Sequence, residues 1–144
     1  MEILAQDKSS YLKGLLIIAK KDNALAESEE SIIRQLAKRL GFSESFYEET
    51  LQNLLSNDYL SENPLKFSDE KLSHSFIKDG LMLAYSDSVL NESEIEWLRK
   101  TAEVNSINLK WFEDKVEEFQ SKAGSGTITK FALDSIIPLN SSNI

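Results

Sequence analysis

The 144 residues include no cysteine, one histidine, two prolines and five glycines. Without cysteine there can be no disulfide, zinc–thiolate site or thiol nucleophile. A reducing, cytoplasmic compartment is the expectation that follows. Long hydrophobic runs are also missing. The longest, Leu15-Leu16-Ile17-Ile18-Ala19, has five residues, where a membrane span needs about 20. The start, Met1-Glu2-Ile3-Leu4, is acidic and lacks a basic leader, so neither a secretory signal nor direct membrane insertion is expected.

Basic residues are scarce. Sixteen Lys and Arg against 24 Asp and Glu give a net charge of −8. Nucleic-acid binding draws most of its affinity from phosphate neutralisation, so no nucleic-acid partner is expected, and anionic membrane surfaces are disfavoured in the same way. Cations and basic protein surfaces suit such a chain. Catalytic signatures are absent too. There is no GxSxG, GxxxxGK[ST] or GxGxxG, and His74 has no HxxxH or HxxE companion. The sequence therefore predicts no enzyme, no catalytic residue and no organic cofactor.

What is present is a balanced globular composition, 41% apolar and 28% charged, of a size suited to one domain over 1–144. Sliding the chain along itself by 65 residues aligns 10–51 with 75–116 without a gap, with 12 identities in 42 positions. Chance would give about 2 or 3. The identical pairs include Leu16/Leu81, Ala19/Ala84, Asp22/Asp87, Leu25/Leu90, Glu27/Glu92, Ser28/Ser93, Glu29/Glu94, Arg34/Arg99, Ala37/Ala102 and Glu48/Glu113. Apolar pairs such as Tyr11/Phe76, Phe46/Trp111 and Tyr47/Phe112 keep their character. This is an internal duplication, with repeats over about 10–56 and 75–121.

Each unit predicts three helices. Tyr11, Leu15, Ile18, Ala19 and Asp22 form one helical stripe. A second helix runs from near Ala26 to Gly41, where a left-handed C′ residue is wanted, and Ser43 caps a third. In the second unit Ser68 is the expected cap of a helix carrying Leu72, Phe76, Leu83, Ala84 and Asp87. Asn91 with Glu94 makes a capping box, and Asn108 caps the last repeat helix. The fold class is all-α, a compact bundle of about six helices. A connector spans 57–67, and a C-terminal segment over 124–144 follows the Gly124-Ser125-Gly126 hinge, with Ile128, Phe131, Leu133, Ile136 and Ile137 as docking residues and Pro138 as a stop.

The strongest similarity between the units lies where the first helix passes to the second. Asp22 and Asp87 fall at the C-terminal ends of their helices, where the macrodipole disfavours an anion by roughly 0.3–1 kcal/mol. Backbone N–H groups, Arg34 or Arg99, or a cation are the groups that can offset this. Glu29 and Glu94 lie seven residues on, in the next helix's first turn, where the dipole favours them. One reading is structural: Asp orders the turn and Glu caps the helix. The other is an oxygen site for a hard divalent cation, formed by Asp22 with Glu29 and by Asp87 with Glu94, with Glu27 and Glu92 as second-tier ligands. The spacing is not that of an EF-hand.

The junctions Ala19-Lys20-Lys21-Asp22-Asn23-Ala24-Leu25-Ala26-Glu27-Ser28-Glu29 and Ala84-Tyr85-Ser86-Asp87-Ser88-Val89-Leu90-Asn91-Glu92-Ser93-Glu94 resemble the A-x-x-D-G-x-[ILV]-[ST]-x-x-E pattern of the TerB-like, tellurite-resistance family. The likeness covers Tyr11 to Phe119. Asn23 and Ser88 stand where the family has glycine, and Ala26 and Asn91 where it has a small hydroxyl residue. The resemblance implies a non-catalytic, cytoplasmic role in stress responses, tellurite resistance among them. It also implies a divalent metal at Asp22, Glu29, Asp87 and Glu94, and a protein partner, membrane-associated in some members. The alternative is a purely structural interaction adaptor in which those acids only cap helices. Elsewhere, Phe46-Tyr47 and Trp111-Phe112 read as core aromatics, and Glu113, Asp114, Glu117 and Glu118 as a solvated face.

Overall fold

Helix formation follows the apolar stripes. The computed structural model describes residues 3–20, 27–56, 63–86, 92–122 and 131–136. Within them the elements are α1 (Ala5–Lys20), α2 (Glu27–Arg39), α3 (Glu44–Ser56), α4 (Glu70–Ala84), α5 (Glu92–Val104), α6 (Leu109–Lys122) and a C-terminal 3₁₀ turn (Ala132–Ser135). The described residues form no strand, so the all-α expectation holds. None of their helices is long and apolar enough to cross a membrane. Asp22, Asp87, Asn91, the Gly124–Gly126 hinge, Ile128, Ile137, Pro138 and most of the 57–67 connector lie outside the described residues.

The two units fold in register. α2 and α5 begin and end 65 residues apart, and α3 and α6 begin 65 apart. Both helical hairpins are closed by the same turn. Gly41 has φ of 95°, and its counterpart Ser106 has φ of 58°. In one, Gly41 N–H donates to Lys38 O and Phe42 N–H to Ala37 O; in the other, Ser106 N–H donates to Glu103 O and Ile107 N–H to Ala102 O. This double closure satisfies the last carbonyls of each helix. Ser43 Oγ accepts from Phe46 N–H and Asn108 Oδ1 from Trp111 N–H, each at 3.1 Å, so both predicted caps form.

The identities inside the hairpins also find their reason. Arg34 binds Glu48, Glu30 at 2.9 Å and Glu44 at 2.7 Å. Arg99 binds Glu113 at 3.1 Å and Glu96 at 2.9 Å. Each guanidinium also lies over the buried aromatic of the facing helix, Arg34 over Tyr47 and Arg99 over Phe112. The pairs Arg34/Arg99 and Glu48/Glu113 are thus kept as one ion pair per hairpin, built on a ring–cation contact.

Two expectations need correction and a third is refined. The cap of α4 is Asp69, whose side chain accepts from Lys71 N–H at 2.8 Å and Leu72 N–H at 3.2 Å. Ser68, one residue earlier, instead donates its N–H and hydroxyl to the buried Asp7 of α1. The aromatic pairs are only half core. Tyr47 and Phe112 are buried, whereas Phe46 is exposed and stacks on Phe42, and Trp111 is half-buried. Successive residues of a helix point about 100° apart, so one stripe cannot bury both. The acidic face of α6 is solvated, but Glu113 is committed to Arg99.

The core is centred on α1 against α4, with α2 and α5 outside them and α3 and α6 closing the hairpins. Tyr11, Phe67, Phe76 and Trp97 form a chain of ring contacts with centroids 5.2–6.1 Å apart, all buried. Gly14 makes the helix crossing close. A Cβ there would meet Phe76 Cζ at 2.4 Å and Cε1 at 2.7 Å. Alanine would gain about 1 kcal/mol of helix propensity over glycine, but overpacking a rigid core costs about 1–3 kcal/mol. Because Phe76 is hemmed in by three other rings, the clash should win. Gly14→Ala is expected to lower stability by roughly 1–2 kcal/mol in urea titrations, and a stabilised variant would show that the crossing is loose.

Candidate functional site: the helix junctions and a cleft on the second unit

The sequence-predicted acids separate sharply in the structure. Glu27 and Glu92, at the first residues of α2 and α5, are exposed. Two residues on, Glu29 and Glu94 are buried, with 1% and 0% of their surface accessible. Oε2 of Glu29 and both carboxylate oxygens of Glu94 are sealed from solvent. A cap on the surface needs no such burial. Their partners in the predicted sites, Asp22 and Asp87, lie outside the described residues. Among the described residues, no three His, Asp or Glu side chains converge on one point. Arg34 and Arg99 spend their charge on the hairpin glutamates.

A second constellation centres on Asp79, which sits in the apolar stripe of α4 between Phe76 and Leu83 and is 1% exposed. Tyr11 Oη donates to Asp79 Oδ2 at 2.6 Å. A phenol has one proton, so Ser75 Oγ, 2.8 Å away, donates to Tyr11. From the other side Ala132 N–H donates to Oδ1 at 2.7 Å and Leu133 N–H to Oδ2 at 3.1 Å. Asp79 therefore holds the first backbone N–H groups of the 3₁₀ turn, and through Tyr11 it joins α1, α4 and the C-terminal segment.

The same segment is gripped by α2. Arg39 Nε donates to Asp134 Oδ1 at 2.7 Å, and its guanidinium lies 4.6 Å from the Phe131 ring centroid. Phe131 and Leu133 are buried and Ile136 packs on the core, so these three expected docking residues do dock.

Docking of this segment shapes a cleft of about 810 Å³ between α4, α6 and the C-terminal turn. His74, Ser75, Lys78, Asp79 and Met82 line it from α4, Trp111 and Phe119 from α6, and Phe131 and Ile136 from the segment. His74 stands edge-on to Trp111 with centroids 4.5 Å apart. Its Nδ1 lies 2.8 Å from Glu70 O. A carbonyl only accepts, so Nδ1 carries the proton.

Sequence reasoning passed over Asp7 and Asp79. The signal was there, since each falls on the buried stripe of its helix, Asp7 four residues before Tyr11 and Asp79 three after Phe76. A charged residue inside an apolar stripe is costly unless partnered. Its partners came from 61 and from 53–68 residues away in sequence, which no local pattern displays.

Burial pushes the Asp79 carboxyl up from 3.8 to about 6, against the pull of the Tyr11, Ala132 and Leu133 donors, while nearby Asp134 adds to the rise. The folded chain thus holds this proton more tightly than the unfolded chain. The resulting stability is complete below about pH 4 and is lost as pH rises through about 6. Wild-type stability should therefore fall relative to Asp79→Asn between these values by on the order of 3 kcal/mol, one pKa unit being worth about 1.4 kcal/mol. Parallel pH–stability curves for the two proteins would contradict the assignment.

No protein-family model, curated protein or solved structure matches this chain.

Proposed function

We propose that the chain is a non-catalytic, TerB-like domain that binds divalent cations at two equivalent helix junctions and acts through a protein partner in a cytoplasmic stress response of the tellurite-resistance type. The observation that carries this reading is the buried pair Glu29 and Glu94, identical in the two units and each in the first turn of its unit's second helix. Taking a carboxylate out of water costs several kcal/mol unless its charge is met. The helix dipole contributes about 0.3–1 kcal/mol toward meeting it. Asp22 and Asp87 bring a second carboxylate to each junction by sequence, and hard divalent cations take such oxygen ligands. A bound cation would supply charge neutralisation and tie the first helix of each unit to the second.

The adaptor reading has its own support. Both glutamates occupy helix N-termini, where an anion is favoured without any metal. Thermal unfolding of chelator-stripped protein, with and without millimolar calcium, magnesium, manganese or zinc, separates the two. At 100 times its dissociation constant a cation adds about 2.7 kcal/mol, which raises the midpoint by roughly 5–10 °C in a chain of this size. The rise should be specific to one cation and absent from Asp22→Asn with Asp87→Asn. No rise with any cation would leave the glutamates as caps and the chain as an adaptor.

A further inference from the structure

The cleft beside Asp79 is built largely from positions at which the two units differ. His74, Asp79 and Trp111 occupy the places of Ser9, Gly14 and Phe46 in the first unit. We propose that this cleft binds a small amphipathic carboxylate, its head held at Lys78 and its apolar body laid along Trp111, Phe119 and Ile136.

Size and lining come first. Pockets for small ligands occupy about 300–1,000 Å³ and are mainly apolar, with a few fixed polar groups, and this one has about 810 Å³. Its floor is set by Asp79, whose oxygens are already taken by Tyr11, Ala132 and Leu133. That carboxylate is thus committed to the fold and does not compete for the ammonium groups at the rim.

Charge then chooses the ligand. On a chain of net charge −8, anions are repelled except where cations are focused. Lys71 and Lys78 both line the cleft, and neither has an ion-pair partner among the described residues. Lys78 is half-buried, with Nζ 6.0 Å from the Trp111 ring centroid. Lys115 places a second ammonium 5.7 Å from the same ring, while pairing with Glu118 at 3.1 Å. Glu70 is the acidic group at the mouth, and it is exposed. A cationic ligand would meet two ammonium groups around one indole. A neutral one would leave Lys78 half-buried and uncompensated. A carboxylate with an apolar body satisfies both the ammonium and the ring-lined wall.

Decanoate, kept below its micelle-forming concentration, is the probe, read by calorimetry and tryptophan emission on the full chain. It should bind at one saturable site, and decylammonium should not bind. Lys78→Met keeps the apolar stem and should weaken decanoate by about tenfold or more. Lys13→Met, at the equivalent position of the first unit, should leave binding unchanged. Lys78→Gln gives the same reading should methionine disturb folding. The proposal is overturned if decanoate does not bind, if Lys78→Met and Lys78→Gln bind it as tightly as wild type, or if decylammonium binds equally well. Lys78-dependent binding of an oligoglutamate peptide in preference to decanoate would likewise overturn it, assigning the cleft to an acidic chain.

Discussion

The close crossing of α1 and α4 is the constraint on which the rest of the molecule depends. These are the first helices of the two units, so their contact is what joins one unit to the other. Gly14 lets the Phe76 ring reach the α1 backbone, and the Tyr11–Asp79 hydrogen bond fixes the same two helices a turn away. A buried hydrogen bond to a charged acceptor is worth about 1.5–3 kcal/mol, and leaving one partner unmade costs as much again. Tyr11 and Asp79 therefore specify the register of the crossing as well as strengthening it. Asp7, one turn before Tyr11 at the start of α1, repeats the device by accepting from Ser68.

Duplication explains why the two halves agree where they do. The outer hairpins α2–α3 and α5–α6 keep the same left-handed closure, the same cap position and the same arginine–glutamate bridge over an aromatic ring. The paired central helices could not remain identical, because each now packs against the other. Where α1 has Gly14, α4 has Asp79; one provides room and the other provides a polar anchor for the chain's C-terminal turn. That anchoring, helped by Arg39 from α2, gives the second unit its cleft. The buried glutamates Glu29 and Glu94 belong to the shared part of the plan, which is why a junction role is proposed for both units together.

Much of this was legible in the sequence. Apolar spacing gave the helices and the 65-residue offset gave the two units, while Gly41, Ser43 and Asn108 marked turns and caps correctly because those are local chemistry. Ser68 was misread for the same reason in reverse. It is as good a cap by type as Asp69, and its hydroxyl is claimed by Asp7, 61 residues away. Of the candidate site, the sequence named Glu29 and Glu94 from repetition, but their burial depends on tertiary packing. The cleft was not legible at all. Trp111 looked like a core aromatic and His74 a lone helix residue, and Lys78 carried no local signal, until α6 and the C-terminal turn were brought beside α4.

If the α1–α4 crossing is the centre of the structure, it must also be the last part to open. Native-state hydrogen exchange under increasing denaturant measures this directly, residue by residue. Amides of α1 from Tyr11 to Ala19 and of α4 from Phe76 to Leu83 should exchange only through global unfolding, with α3 and α6 opening at lower free energy. If α1 or α4 instead exchanged through a partial opening that left the outer hairpins protected, the two units would be independent, and the crossing would not be what holds them together.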